Sequence, residues 1–290
     1  MKQRPKVSVV IPVFNEAESI RKVVTHVDQV LSQLDIEHEI LVVDDGSHDL
    51  SGDEAALGGA IVLSRPYNIG NGAAVKHGIR KATGDIIVMM DGDGQHDPED
   101  IPRFIEEIQN HEMVVGARTR ESETQFHRDM ANFGYSRLAS YIVGRKVVDL
   151  TSGFRAFDGE IAKKVVYLFP NGYSYPSTST IALFRAGYSV KYIPIKTSVR
   201  YGTSKIRLFG DGFGFLLILL RIGTLFAPLR IFLPMAVVVF LPGFALAIQR
   251  LITGRPWTIP VVISITAGLL ILVLGLISEQ IALLRMSRLD

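Results

Sequence analysis

Asp91-Gly92-Asp93 follows directly on the apolar run 86–90 and leads into Gly94, Gln95 and His96. Two carboxylates one residue apart are costly unless a cation neutralises them. Mg²⁺ and Mn²⁺ favour oxygen ligands, and Mg²⁺ is commonly held by one or two carboxylates together with substrate phosphates. The chemistry implied is binding of a divalent cation and a phosphorylated ligand. Gly92, lacking a Cβ, would let a phosphate approach the backbone. His96 reads as a solvated loop residue, because one histidine does not make a metal site. Taken alone, the tripeptide reads more simply as an Asp/Gly turn. The rest of the chain argues otherwise.

An apolar run bounded by polar and glycine residues has the pattern of a fully buried strand. Residues 7–12, 39–43, 60–63, 86–90, 113–117 and 190–195 read this way. Helical patterns lie between them. Residues 18–34 carry Ile20, Val23, Val24, Val27, Val30 and Leu31 at helical spacing. A glycine loop at 68–72 opens a helix reaching Ala82; others follow Pro98 and cover 128–142 and 159–168. Strands alternating with helices predict an α/β fold with a mostly parallel sheet, whose ligands sit outside the carboxyl ends of the strands. Four polar clusters fall at such ends: Phe14-Asn15-Glu16, Asp44-Asp45, residues 68–72 and Asp91-Gly92-Asp93. Unrelated turns would not gather at one edge of a sheet. Residues 118–128, charged and aperiodic, read as a mobile loop.

The chain has 290 residues, no cysteine and a formal net charge of +2. It has no disulfide framework and no thiol chemistry, and its length suits one sizeable domain plus something smaller. Beyond Glu160 the acidic residues are Asp211, Glu279 and Asp290. The mean hydropathy of +0.26 comes from this C-terminal part. Residues 206–230 are apolar but interrupted by Arg207, Asp211, Arg221 and Pro228, a pattern for helices lying in a membrane interface. Stretches 229–248 and 258–284 can each span a hydrocarbon core of about 30 Å, with Trp257 at interfacial depth in the loop 249–257. A buried core hairpin in a soluble protein is the alternative. Arg207, Arg221, Arg230, Arg285 and Arg288 flank the hairpin, against Arg250 and Arg255 in its loop, which puts the N-terminal domain in the cytosol. The basic first residues run into a strand pattern with no cleavage site, so no signal peptide is expected. The expected organisation is a cytosolic domain over 1–205, interfacial helices over 206–228, a transmembrane hairpin over 229–284 and a cytosolic tail over 285–290. Small hairpins often associate, so a homo-oligomer is a further expectation.

Six segments together resemble the family-2 glycosyltransferases of GT-A fold, and among them the polyprenyl-phosphate sugar synthases. They are Val-Ile-Pro-Val-Phe-Asn-Glu (10–16), Val-Val-Asp-Asp-Gly-Ser (42–47), Asn68 with Gly70 and Gly72, Met-Asp-Gly-Asp-Gly-Gln-His (90–96), Thr-Ser-Gly-Phe-Arg (151–155) and Arg-Tyr-Gly-Thr-Ser-Lys (200–205). The resemblance implies roles at these positions. Pro12, Phe14, Glu16 and Asp45 would line the pocket for the base and ribose of a nucleotide sugar. Asp91, Gly92 and Asp93 would meet its diphosphate. Asp91, Asp93 and Gln95 would hold Mg²⁺ or Mn²⁺. Arg118, Arg128, Arg200 and Lys205 would face the donor diphosphate or an acceptor phosphate, and Asp149 would lie near the reacting sugar. Asp93, Asp149 and Arg118 would be the catalytic residues. Three departures stand out: Phe14 where the family often has Tyr, Asn71 where it commonly has Lys, and residues 174–180 where some relatives place Lys and Glu.

The reaction so implied moves a sugar, with inversion, from a UDP- or GDP-linked donor to undecaprenyl or dolichyl phosphate at the cytosolic face. The leaving diphosphate gains charge, which a cation and arginines would stabilise in place. A hydroxyl acceptor needs a general base; a phosphate monoester, with a second pKa near 6, does not. Within 151–205 no carboxylate is an obvious base, Asp158 and Glu160 reading as the start of a helix; Asp149 is the rival candidate. Arg200 and Lys205 sit just before the interfacial stretch, where a lipid phosphate would need cations. The expected partners are nucleotide sugar, lipid phosphate and membrane, and not nucleic acid. A hydroxyl-acceptor glycosyltransferase, a tethered phospho-acceptor receiver domain and a non-catalytic membrane scaffold are the other readings.

Overall fold

The computed structural model describes residues 5–119, 126–172, 174–197, 220 and 223–286, without side chains at 126–133, 285 and 286. Seven strands form one sheet in the order β3-β2-β1-β4-β6-β5-β7. They are β1 Val7–Val13, β2 His38–Asp44, β3 Ile61–Ser64, β4 Ile86–Met89, β5 Met113–Arg118, β6 Arg155–Asp158 and β7 Val190–Ile195. β1 to β4 run parallel, as do β5 and β7, while β6 is antiparallel to both β4 and β5. The carboxyl ends of β5 and β7 therefore share an edge with those of β1 to β4. The chain entering β6 reaches that edge too.

Side chains alternate between the sheet's faces with a period of two. Val7, Val9, Ile11 and Val13 join one core with α1 (Ile20–Gln33), α2 (Ser51–Leu57) and α4 (Ile101–Glu107). Val10, Leu41, Val43, Ile87 and Met89 face a second core with α3 (Asn71–Lys81), α6 (Gly159–Val165) and α7 (Tyr175–Arg185). A third cluster joins α5 (Phe126–Val143) and α7 to Phe226 and Ala227, at the entrance to the C-terminal helices.

Those helices, α8 (Pro228–Ile252) and α9 (Ile259–Met286), are both long and apolar enough to cross a membrane. A Cβ added at Gly243, Gly268 or Gly275 would lie 2.6 Å from Ser264, Phe240 or Phe232 of the opposite helix. Small residues thus let the two backbones approach, as in membrane helix pairs. Pro242 leaves the Val238 carbonyl without a helical donor, and the Ser264 hydroxyl donates to the neighbouring carbonyl of Val239. Much of the hairpin's apolar surface is bare. Val238, Leu251, Ile252, Ile259 and Leu284 are between 70% and 79% exposed. A core hairpin of a soluble protein would bury these side chains; here they are open, as a surface for membrane or partner would be.

Three elements are not legible in the sequence: α2, β6 and α7. The first is seven residues long and the second four, too short for a period to show. The helix α7 begins Tyr-Pro-Ser-Thr-Ser-Thr, whose composition resembles a loop. Tertiary burial of all nine residues from Tyr175 to Leu183 overrides weak propensity. Of the expected interfacial stretch 206–228 only Leu220 and residues 223–228 are described, and Arg207, Asp211, Arg221 and Arg288, like the Arg285 side chain, lie outside the described residues.

Candidate active site

β1 pairs with β2 out to Val13↔Asp44, but with β4 only to Val10↔Met89. The two strands part at their carboxyl ends, where the strand order reverses; such a switch point opens a crevice. Pro12, buried in β1, lies beyond the β4 ladder, where its missing N–H costs least.

The turns around this crevice are tied together. Asn15, at φ 56°, donates its N–H to Ser47 Oγ at 3.0 Å, and its Oδ1 accepts from the His48 N–H at 2.8 Å. The Phe14 ring meets His48 edge-on, centroids 6.1 Å apart. Ser19 Oγ donates to the Gly92 carbonyl at 2.7 Å. A Cβ at Gly92 would stand 2.8 Å from Glu16 Oε2 and 3.0 Å from Val13 Cγ2. The bare side of Gly92 is therefore filled by protein and not kept for a phosphate. Glu16 turns its carboxylate towards the Asp91 loop.

Asp93 is buried, and its Oδ1 accepts from the Gln95 N–H at 3.1 Å. Asp91 is half-buried; a Cβ at Gly153 would lie 2.8 Å from its Oδ2. The Thr151-Ser152-Gly153 turn entering β6 thus abuts Asp91. His96 is not a solvated loop residue. It is 8% exposed, stacks on Phe154 with centroids 5.0 Å apart, and accepts from the Asp91 N–H through Nδ1 at 3.2 Å. Burial pushes its pKa down to about 4, against the pull of Asp93. A neutral imidazole under the carboxylate loop is a structural support, legible only once Phe154 is placed beside it. Among the described residues no three His, Asp or Glu side chains converge as a metal site. The carboxylates of Asp91 and Asp93 are oxygen donors of the kind a divalent cation prefers, and with only two of them such an ion would need further oxygen ligands from elsewhere.

Arg118 ends β5 and faces Asp149. Its Nε and Nη2 donate to the two carboxylate oxygens at 2.8 and 3.0 Å, and Nη2 also reaches Thr151 Oγ1. Asp149 further accepts from the N–H groups of Thr151 and Ser152 at 3.0 and 3.2 Å. Burial alone would raise its pKa, but the Arg118 guanidinium and these amides outweigh it and hold it at about 2. A carboxylate so held is a poor proton acceptor at neutral pH. It anchors the turn before Gly153, which corrects its reading as a rival general base.

Asp45 is 2% exposed. It accepts from Gly70 N–H at 2.7 Å and Ile69 N–H at 3.2 Å, and pairs with Arg65 at 3.4 Å. The glycine loop is closed from its other side: Gly72 and Ala73 donate to the carbonyls of Gly172 and Asn171 at 3.0 and 2.8 Å. A Cβ at Gly72 would lie 2.1 Å from the Pro170 carbonyl oxygen. These glycines admit a neighbouring chain segment. Lys76, one turn into α3, reaches Asn171 Oδ1 and the Phe169 carbonyl.

Arg155, the last residue of the Thr-Ser-Gly-Phe-Arg segment, has a role that the sequence alone does not show. Its side chain is wholly buried; it donates to the Ser152 carbonyl at 3.1 Å, the Pro176 carbonyl at 2.9 Å and Ser179 Oγ at 2.8 Å. It pins the Gly153 turn to the start of α7, where Tyr175 Oη donates to the Gly153 carbonyl at 3.2 Å. An arginine inside the apolar pattern Phe-Arg-Ala-Phe was the available signal. The side chain of Arg128 and the whole of Arg200 and Lys205 lie outside the described residues.

Residues 8–166 match glycosyl transferase family 2. The chain belongs to glycosyl transferase family 2. Residues 227–284 of this family-2 glycosyltransferase match a second family, the GtrB C-terminal hairpin. The chain is 30% identical to the undecaprenyl-phosphate 4-deoxy-4-formamido-L-arabinose transferase of Proteus mirabilis (strain HI4320), over 95% of this chain and 88% of that one. It is 28% identical to the protein of the same name from Photorhabdus laumondii subsp. laumondii, over 96% and 89%. Among solved structures, Mycobacterium tuberculosis glucosyl-3-phosphoglycerate synthase in complex with Mn²⁺, UDP-glucose and phosphoglyceric acid shares the fold. Its TM-score is 0.62 at 20% identity, over 76% of this chain and 80% of that one. The GT-A architecture is thereby established, with the two apolar helices as its C-terminal hairpin.

Proposed function

We propose that this glycosyltransferase moves a sugar from a nucleoside diphosphate, UDP- or GDP-linked, to a polyprenyl phosphate at the cytosolic face of a membrane. The carrying observation is the joining, in one chain, of the Asp91/Asp93 crevice to an exposed apolar hairpin. The relatives named for undecaprenyl-phosphate sugar transfer, alike along nearly the whole chain, support this acceptor.

The crevice between β1 and β4 would take the nucleotide, with Pro12, Phe14 and Glu16 along its wall and Asp45 holding the glycine loop behind it. Asp91 and Asp93, with Gln95, would hold Mg²⁺ or Mn²⁺ beside the diphosphate; the Mn²⁺ and UDP-glucose of the solved fold relative support that assignment. When bound, the cation offsets charge on the leaving diphosphate. Arg128, Arg200 and Lys205 would supply further positive charge to the two phosphate ligands, while Arg118, its charge met by Asp149, would hold the turn beside them. An acceptor phosphate oxygen attacks the anomeric carbon, the bond to the donor's diphosphate oxygen breaks, and the nucleoside diphosphate leaves with the electron pair. Attack from the opposite side inverts the centre. No proton has to move, since a phosphate monoester is largely dianionic above its second pKa of about 6. The strongly acidic Asp149, tied to Arg118, suits an acceptor that needs no base.

The test is a panel of membranes containing the protein with undecaprenyl phosphate or diacylglycerol, Mg²⁺ or Mn²⁺, and labelled UDP- and GDP-sugars. Labelled lipid phosphate from one donor, lost on Asp91→Asn, is the expected result. Transfer only to diacylglycerol, or none from any donor, would reject the proposal.

A further inference from the structure

The helix α7 has one end at the carboxylate loop and the other at the membrane hairpin. At its start, Tyr175 and Arg155 bind it to the Ser152-Gly153 turn that abuts Asp91. At its last residue, Arg185 Nη2 donates to Glu279 Oε1 at 3.2 Å. Glu279 is the one acidic residue of α9, and its other oxygen accepts from the Leu229 N–H at 3.1 Å, at the first turn of α8. Both partners are largely buried, with side chains 23% and 20% exposed. An ionisable side chain within an apolar helix is expensive and is kept only where it has a partner and a task. The eleven residues of α7 make a strut about 16 Å long.

We infer that the Arg185–Glu279 pair is the positioning joint that sets the crevice relative to the bilayer, so that a lipid-borne phosphate arrives opposite the donor sugar. The inference rests on the lipid-phosphate acceptor proposed above. The pair touches neither substrate. It acts through α7, which is rigid because Arg155 and the buried Ser179 and Thr180 fix its first turns. A second tie runs through α5: Tyr141 Oη donates to the Arg230 carbonyl at 3.0 Å and Arg230 Nη1 to the Tyr141 carbonyl. That tie holds the domain on the hairpin when the first is cut. The loss should therefore be of orientation and not of attachment.

Glu279→Gln keeps an acceptor for the Leu229 N–H and removes only the charge that holds Arg185. Arg185→Met removes the other half. In nanodiscs, each variant should raise the KM for polyprenyl phosphate by about fivefold or more, with nucleotide-sugar affinity unchanged. The exchange Arg185→Glu with Glu279→Arg restores the pair but leaves the Leu229 N–H without its acceptor, so it should recover part of the loss. The chain has no cysteine, so spin labels at Lys163→Cys and Thr253→Cys report the domain–hairpin distance without activity. That distance distribution should broaden in the single variants and narrow in the exchange. An unchanged acceptor KM, an unbroadened distribution, or a matching loss of donor affinity would overturn the joint. If the distances respond as expected while the unaltered protein transfers nothing to polyprenyl phosphate, the joint stands and the proposed acceptor falls.

Discussion

Aspartates carry different burdens in this site, and substitution should separate them. Asp91 and Asp93 border the crevice. Asparagine at either keeps the shape and removes the charge that the proposed cation would need; turnover should fall by about 10²-fold or more, with melting temperature nearly unchanged. Asp149 is the opposite case. It is 2% exposed and bound to Arg118, Thr151 and Ser152. Breaking a buried ion pair from one side costs on the order of 3 kcal/mol, so Asp149→Asn should lower the melting temperature markedly. Unchanged stability with abolished turnover would make it a base after all. His96 gives a pH signature. Its folded pKa of about 4 lies below the ordinary 6.5. Between those values the unfolded chain binds a proton that the folded chain refuses, so stability rises with pH across the window. The contribution is full above about pH 6.5 and is lost as pH falls towards about 4. Melting temperatures of the protein and of His96→Asn, taken from pH 7 to 4 in detergent, should diverge most at neutral pH, with the shallower slope in the variant.

Two glycines show how elements meet. Gly72 lies where α3 meets the 170–172 segment, and a Cβ there would stand 2.1 Å from a backbone oxygen. Backbone cannot yield cheaply, so Gly72→Ala should destabilise by about 1–3 kcal/mol, read by chemical unfolding. Gly153 faces the end of a side chain, Asp91 Oδ2, at 2.8 Å. Gly153→Ala should leave unfolding almost unaffected while displacing that carboxylate. Misplacement by about 1 Å can cost 10²-fold, so kcat should drop by about tenfold or more. Equal effects of the two alanines on stability would refute this division. The Gly153 turn is set by β6, the reversed strand. Because β6 runs against β4, its entrance rather than its exit lies beside Asp91.

For the whole molecule, the hairpin decides where chemistry can occur. Its helices leave apolar side chains bare along their length, and the domain attaches through α5, α7 and residues 226–227. With the proposed orientation, protease added outside sealed cells should cut at most near Arg255, in the loop after α8. Protease added to inverted vesicles should digest the domain. The reverse pattern would place the crevice on the other side of the membrane.

Much of this was legible in the chain itself. Buried parallel strands announce themselves as short apolar runs, and the polar clusters at 14–16, 44–45, 68–72 and 91–93 lie in sequence just past them. Strand direction then compels them to one edge, so the crevice follows from connectivity. The two apolar stretches were equally plain, because hydrocarbon tolerates little else at that length. What lay beyond reach depends on contacts between segments far apart in sequence. Gly92 looks like a glycine bared for a phosphate and Gly72 like part of an open loop, yet Glu16 and Pro170 fill the space beside them. His96 looks solvated until Phe154 stacks on it. Asp149 looks like a free base until Arg118, thirty-one residues earlier, neutralises it. Arg185 and Glu279, ninety-four residues apart, meet only because α7 lies against the hairpin. Local pattern dictates which elements form and where their polar ends face. Burial and charge partnership belong to the folded chain, because both are set by neighbours that the sequence does not adjoin.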